Sequence, residues 1–210
     1  EKKEFKAKVV FLCASAIASA SILMQSKSER FPNGMGNDSG ELGHNLMDHH
    51  FKAGATAKWS GDKDKDYKGR RPNGIYIPRF RNLGGETEQK NFKRGYGYQG
   101  GAGRGDWSAL VAEAGYAEWK ENEWEMRKDM IASAKDMLKK AGFEDIQTMD
   151  DPSAPGNGIH EMGTARMGRD PKTSVCNGDN QLHAVPNVYV TDGAFMTSAS
   201  CVNPSLTYMA

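Results

Sequence analysis

Two short segments near the carboxy-terminal end hold the residue types best suited to chemistry. The first, His160-Glu161-Met162-Gly163-Thr164-Ala165-Arg166-Met167-Gly168, sets one histidine beside a glycine-punctuated turn. The second, Asn203-Pro204-Ser205-Leu206-Thr207, sets a carboxamide just before a helix start. Between them, residues 187–193 read as an apolar strand ending in a carboxylate, Asp192, followed by Gly193. A base, a hydroxyl-holding amide and a strand-end acid suit oxidation of an alcohol by a bound redox cofactor. An imidazole ordinarily titrates near neutrality, so it can take a hydroxyl proton at working pH and return it later.

Composition sets loose limits around these groups. A chain of 210 residues can bury a sizeable core as one large domain or two small ones. The 28 basic residues nearly cancel the 27 acidic ones, so nothing in the charge favours nucleic acid as a partner. Cys13, Cys176 and Cys201 show no C-x-x-C spacing and leave one unpaired, which points to neither a disulfide framework nor a zinc ribbon. Twenty-four glycines and a low apolar fraction imply long surface loops.

The elements that must position the site are legible in outline. Residues 8–12 predict a buried strand that turns at Cys13-Ala14-Ser15 into a helix over 16–25. The same stretch, with Lys2, Lys3, Lys6 and Lys8 ahead of an apolar run, also has the outline of an export signal. Glu1 and Glu4 dilute its charge and serines interrupt the run, so strand and helix are the preferred reading. A glycine- and asparagine-rich loop over 31–42 leads into Gly43-His44-Asn45-Leu46-Met47-Asp48-His49-His50. Further on, 54–60 alternates like a strand, 61–71 is a charged loop, 75–80 and 91–98 predict two more strands, and 100–106 predicts a flexible glycine loop. Residues 118–141 predict a long amphipathic helix, with Trp124, Met130, Ile131, Ala134 and Leu138 near helical spacing and Gly142 as its stop.

Several tempting motifs carry less than they promise. Gly95-Tyr96-Gly97-Tyr98-Gln99-Gly100 matches G-x-G-x-x-G, but no small-residue helix follows, and the aromatics would block backbone approach to a pyrophosphate. It reads as glycine-rich strand and loop. Cys13-Ala14-Ser15 likewise lacks the glycines that admit phosphate. His44, His49 and His50 form no H-x-x-x-H pair, and no metal is expected.

At its two late segments the chain resembles the carboxy-terminal portion of glucose–methanol–choline (GMC) oxidoreductases, most closely the branch of pyranose oxidases and bacterial sugar dehydrogenases. The resemblance rests on His160 with Gly163-Thr164 and Arg166-Met167-Gly168, on Asn180 and Leu182 through Val190-Thr191-Asp192-Gly193, and on Asn203-Pro204-Ser205-Leu206-Thr207. It reappears in Val9-Val10-Phe11-Leu12, Ala16, Leu23-Met24 and Gly43 to His49. It implies an α/β fold (α+β overall): part of a split FAD-binding domain plus a substrate domain of antiparallel sheet backed by helices. The expected boundaries are 1–50 and 151–210 for the FAD-binding segments and 51–150 for the substrate domain. The family's amino-terminal dinucleotide fingerprint is not in the sequence, so the chain reads as a piece of a longer protein and is expected to hold no flavin alone.

The resemblance also implies roles. His160 falls at the family's base position; taken by itself, it reads first as a structural histidine bonded to a loop carbonyl. Asn203 falls where the family places histidine or asparagine, to bond the substrate hydroxyl; an Asn before proline is also a good helix cap. Ser205, Leu206 and Thr207, after Pro204, would begin a helix whose positive end stabilises charge on the reduced flavin pyrimidine. Asp192 and Gly193 match the contact with the ribityl or pyrophosphate region of FAD, although an aspartate there can equally form a turn. Arg166 is open between support and substrate contact. The implied activity is FAD-dependent oxidation of a CH–OH group in a sugar or related alcohol, with dehydrogenase ranked ahead of oxidase. The electron acceptor, the location (cytoplasmic or periplasmic) and a homo-oligomeric state are left open. The competing class is a non-catalytic carbohydrate-binding or scaffold module derived from the same family.

Overall fold

The computed structural model describes residues 3–61, 74–102, 108–116, 120–152, 159–199 and 201–210. In chain order its elements are β1 (Val10–Leu12), α1 (Ala16–Gln25), β2 (Asp48–Lys58), β3 (Gly74–Ile77), β4 (Gly97–Ala102), β5 (Ser108–Tyr116), α2 (Glu121–Lys140), β6 (Glu144–Asp150), β7 (Gln181–Leu182), β8 (Val185–Val190) and α3 (Ser205–Met209). The result is a mixed α/β chain of two compact units. One comprises Glu1–Asp48, Ile159–Ala199 and Asn203–Ala210, the other His49–Gly158 and Ser200–Val202.

In the first unit β8 lies between β1, which is parallel to it, and β7, which is antiparallel. Helix α1 has no side-chain cap, no acid in its first turn and no base in its last, so packing must hold it. Ala16, Ser19, Ala20 and Leu23, at i, i+3, i+4 and i+7, form its buried stripe. They meet Leu42, Ala165, Val175, Cys176, Leu182, Val188, Val190 and Ala194 in one apolar core. The apolar run of residues 9–25 thus folds as strand and helix. The strand is not buried as expected: Val10 and Phe11 are exposed, because among the described residues β1 is an edge strand paired only with β8, and Phe11 stacks on Tyr189.

In the second unit five strands run in the order β3-β4-β5-β2-β6, with β3/β4, β4/β5 and β2/β6 antiparallel. Ala53, Ala55 and Ala57 alternate along β2 onto the face that packs with α2, and their small size lets the helix sit close. From α2, Met126, Met130, Ala134 and Leu138 fill that core beside Phe92, Tyr96 and Tyr98. Glu121 and Glu123 begin the helix and Lys139 and Lys140 end it, which complements its dipole. Gly142 at φ 83° stops it: its N–H bonds Lys139 O, and that of Phe143 bonds Leu138 O, the paired bonds of a Schellman end. Trp124, expected on the packed face, is 43% exposed, and the buried Arg127 packs inward instead, donating to Asp150 and to Lys52 O.

Other expectations shift. The strand expected over 91–98 is β4, starting at Gly97, and Gly100 to Ala102 continue it rather than forming a loop. Those glycines pair with β3 and β5 on both sides, which costs no side-chain fit. The remainder of the expected glycine loop (103–106), most of the charged loop (62–71) and the expected helix start (118–119) lie outside the described residues. The strand at 75–80 ends at Ile77 because Pro78 offers no N–H. Tyr96 and Tyr98, inside the G-x-G-x-x-G match, are fully buried against α2, and Tyr98 donates to Met130 O at 2.6 Å. That excludes a phosphate loop there.

A polar clamp joins sheet and helix. Asp129 accepts from Arg81 Nε at 2.8 Å and Nη2 at 3.1 Å, and from the Tyr96 hydroxyl. Burial first, and the Asp129 carboxylate second, push the Tyr96 phenol up to about 12. An unfolded tyrosine ionises near 10. Stability owed to the neutral phenol is therefore full below pH 10 and lost as pH rises toward 12. Alkaline denaturation melts should show Tyr96→Phe removing part of that decline; an unchanged profile would contradict the assignment.

Candidate functional site

The histidine segment is the hub of the first unit. Met162 exchanges both backbone bonds with Met47 (2.7 and 2.9 Å), and Gly43 N–H bonds Thr164 O at 2.7 Å. On the other side, the N–H groups of Gly163, Ala165 and Met167 bond the carbonyls of Gly193, Ala194 and Phe195 at 3.1, 2.9 and 2.8 Å. Thr164 Oγ1 donates to Ala16 O at 2.6 Å and ties in α1. Gly163, at φ 85°, lies where a Cβ would be 2.3 Å from Asn45 O, so both conformation and space require glycine. His160 lies two residues before Met162, where this pairing begins. It is half-buried with its Nδ1 shielded from solvent, and its backbone is left-handed at φ 65°. A non-glycine residue adopts that region seldom, and such residues gather at functional sites.

Asn203 is exposed. Its competing reading as a helix cap is corrected by the structure: the cap position of α3 is Pro204, which accepts from Thr207 and Tyr208 N–H through its carbonyl and offers no side-chain cap. Pro204 is buried, whereas Ser205, Leu206 and Thr207 are exposed, Leu206 at 78%. Tyr208 of α3 has its phenol held up by burial and then by the negative charges of Asp192 and Glu161. The strand end and the residue beside His160 are in close contact, since a Cβ on Gly193 would stand 2.6 Å from Glu161 O, and α3 belongs to the same compact unit.

Asp192 does form a turn. Its Oδ1 accepts from Ala194 N–H at 2.9 Å, capping the short 3-10 turn Gly193–Phe195, and its Oδ2 accepts from Ser19 Oγ. Nothing in the sequence reveals Ser19 as its partner, 173 residues away. Gly193 is buried against the protein itself: a Cβ would stand 2.6 Å from Glu161 O. Arg166 is a support residue, bonded to Glu41 Oε2 at 3.1 Å and Thr173 O at 3.0 Å. Buried Asp48 and His49, at the start of β2, are polar groups to which the sequence alone attaches no role beyond a discounted metal reading.

Which of these fit a flavin can be judged from the groups they present. The exposed start of α3 offers backbone N–H groups and the Ser205 and Thr207 hydroxyls, a donor set suited to a carbonyl and ring nitrogens that gain negative charge. Asp192 and Gly193 are engaged with the protein's own turn, so they suit shaping of the strand end more than direct ligation. A cavity of about 220 Å³, lined by Thr56, Ala57, Lys58, Asp145 and Gln147, lies in the second unit and includes none of these groups.

Residues 103–210 match the family described as GMC oxidoreductase. The chain is similar to 2-methyl-1,2-propanediol dehydrogenase of Mycolicibacterium austroafricanum, 26% identical over 98% of this chain and 46% of that protein. Paromamine 6'-oxidase of Streptomyces fradiae is 45% identical over 35% of the chain and 14% of its own length. The crystal structure of pyridoxine 4-oxidase from Mesorbium loti superposes with a TM-score of 0.56 at 17% identity, covering 96% of this chain and 49% of that one, a likeness of fold. The chain thus spans less than half the length of these relatives.

Two outcomes follow from the geometry. Asp192→Ala should cost about 2 kcal/mol by stranding the Ser19 hydroxyl and the Ala194 N–H, read from urea melts; a loss near zero would deny its turn role. Burial, helped by the Asp192 charge, pushes the Cys176 thiol up to about 12, while Cys13 is exposed. Alkylation followed by mass spectrometry should label Cys13 quickly and Cys176 only after denaturation; rapid labelling of Cys176 in folded protein would contradict this.

Proposed function

The chain belongs to the GMC oxidoreductase family, whose members are flavoproteins, and from that premise we propose that it serves FAD-dependent oxidation of a CH–OH group in a sugar or related alcohol. FAD, when bound, supplies the hydride acceptor. His160 takes the hydroxyl proton as the carbinol C–H bond breaks, so the alcohol leaves as a carbonyl and no charge is stranded on oxygen. Asn203 donates its amide N–H to the same oxygen and holds the carbinol in line. Ser205 and Leu206, after Pro204, would give their backbone N–H groups to the flavin, with the Ser205 and Thr207 hydroxyls beside them, while Asp192 and Gly193 shape the strand end.

One observation supports this reading: the segments bearing His160 and Asn203 belong to the same compact unit, in which the backbone of 162–167 is paired with 193–195. The cap position of α3 is Pro204, one residue after Asn203. The relatives include both a dehydrogenase and oxidases, and the proposal keeps dehydrogenase ahead of oxidase as its own reading. The substrates named for these relatives, 2-methyl-1,2-propanediol and paromamine, differ, and the proposal goes no finer than a sugar or related alcohol.

In the FAD-loaded enzyme, His160→Ala should slow flavin reduction by a sugar or diol about 10²–10⁴-fold, followed by stopped-flow absorbance. Asn203→Ala should lower the same rate by a smaller factor, about tenfold for one hydrogen bond near 1.4 kcal/mol. Undiminished reduction in His160→Ala would remove the base assignment and favour a binding or scaffold role for this segment.

A further inference from the structure

We infer that Gly163 and Gly193 form a two-sided backbone clamp that sets the direction in which His160 projects, and that both are positioning residues; this rests on His160 being the base. The family's glycines are easily credited to cofactor approach, but the surroundings of Gly193 give another reason. Its φ lies outside the left-handed region, so conformation does not demand glycine. The nearest heavy atom to a Cβ placed there is the Glu161 carbonyl oxygen, at 2.6 Å, followed by Met162 Cγ at 3.6 Å and Ala16 Cβ at 3.8 Å. A carbonyl oxygen is a rigid part of its peptide and cannot swing aside like a side-chain end.

The opposite side is equally close. A Cβ on Gly163 would meet Asn45 O at 2.3 Å. Between the two glycines, Met162 has both its N–H and its C=O bonded to Met47, so the Glu161–Met162 peptide has no slack toward that side. Gly163 N–H is in turn bonded to Gly193 O at 3.1 Å. A displaced Glu161 carbonyl can therefore relax only toward the amino-terminal side, through the backbone of His160. That residue already occupies the narrow left-handed well at φ 65°, and a small rotation there swings the whole imidazole.

The test uses the FAD-loaded enzyme with ¹³C-labelled histidine. Gly193→Ala should shift the His160 imidazole resonances and its pH titration, and should lower kcat by up to about 10²-fold with a much smaller change in KM, as expected when a catalytic group moves by an ångström. Gly178→Ala, where a Cβ meets nothing within 4 Å, should leave all of these unchanged. If Gly193→Ala does not yield folded protein, Thr164→Val loosens the same clasp by deleting its bond to Ala16 O, and should shift the His160 resonances in the same experiment. A folded Gly193→Ala enzyme, or a folded Thr164→Val enzyme in its place, whose His160 signals and kcat match wild type would overturn the clamp. Undiminished flavin reduction in His160→Ala would instead remove the base reading, and the resonance shift would still report whether the clamp aims the ring.

Discussion

The backbone of residues 162–167 is bonded along both edges, to Met47 and Gly43 on one side and to 193–195 on the other. Everything proposed for the first unit depends on that double pairing. It joins three stretches that are far apart in sequence and gives His160 a fixed support. Both edges approach closer than a Cβ allows, so Gly163 and Gly193 are requirements of assembly before they are requirements of chemistry. Asp192 completes the arrangement by capping the turn that carries Gly193 and by accepting from Ser19 on α1. The helix, the strand end and the histidine loop are thereby coupled through a few buried polar contacts, which cost more to leave half-made than they gain when complete.

The second unit is built on a different constraint. Its alanine row on β2 brings α2 close to the sheet, and the Arg81–Asp129–Tyr96 cluster closes the side where aromatic rings crowd. The buried Arg127, paired with Asp150 of the edge strand β6, ties the helix to β2 as well. These contacts engage Arg81, Tyr96, Arg127, Asp129 and Asp150 in the architecture of that unit. The chemistry proposed for the chain resides with the histidine loop and α3.

Much of this was readable from residue order, and the failures have physical causes. Helix α1 follows its predicted limits because small residues at helical spacing are flanked by a clear strand and by Ser26. Gly142 ends α2 as expected, since a left-handed residue there is a local requirement. By contrast, β6 follows a period of nearly three in its burial, not two, so its pattern does not announce a strand. Three glycines in β4 look like loop until both neighbouring strands are present. At the candidate site, His160, Asn203 and Asp192 stand out by type and motif. Their supports do not: Ser19 and the Glu161 carbonyl reach them only through the fold, and the shift of the cap from Asn203 to Pro204 depends on how α3 is wound.

The most direct measurement is a crystal structure of the FAD-loaded enzyme with a non-reactive sugar or diol analogue. The account predicts a His160 ring nitrogen and the Asn203 carboxamide nitrogen each about 3 Å from one hydroxyl oxygen of the analogue, with that carbinol lying over the isoalloxazine ring. An analogue bound over the flavin with either group turned away, or with the space between them filled by packed side chains, would contradict it.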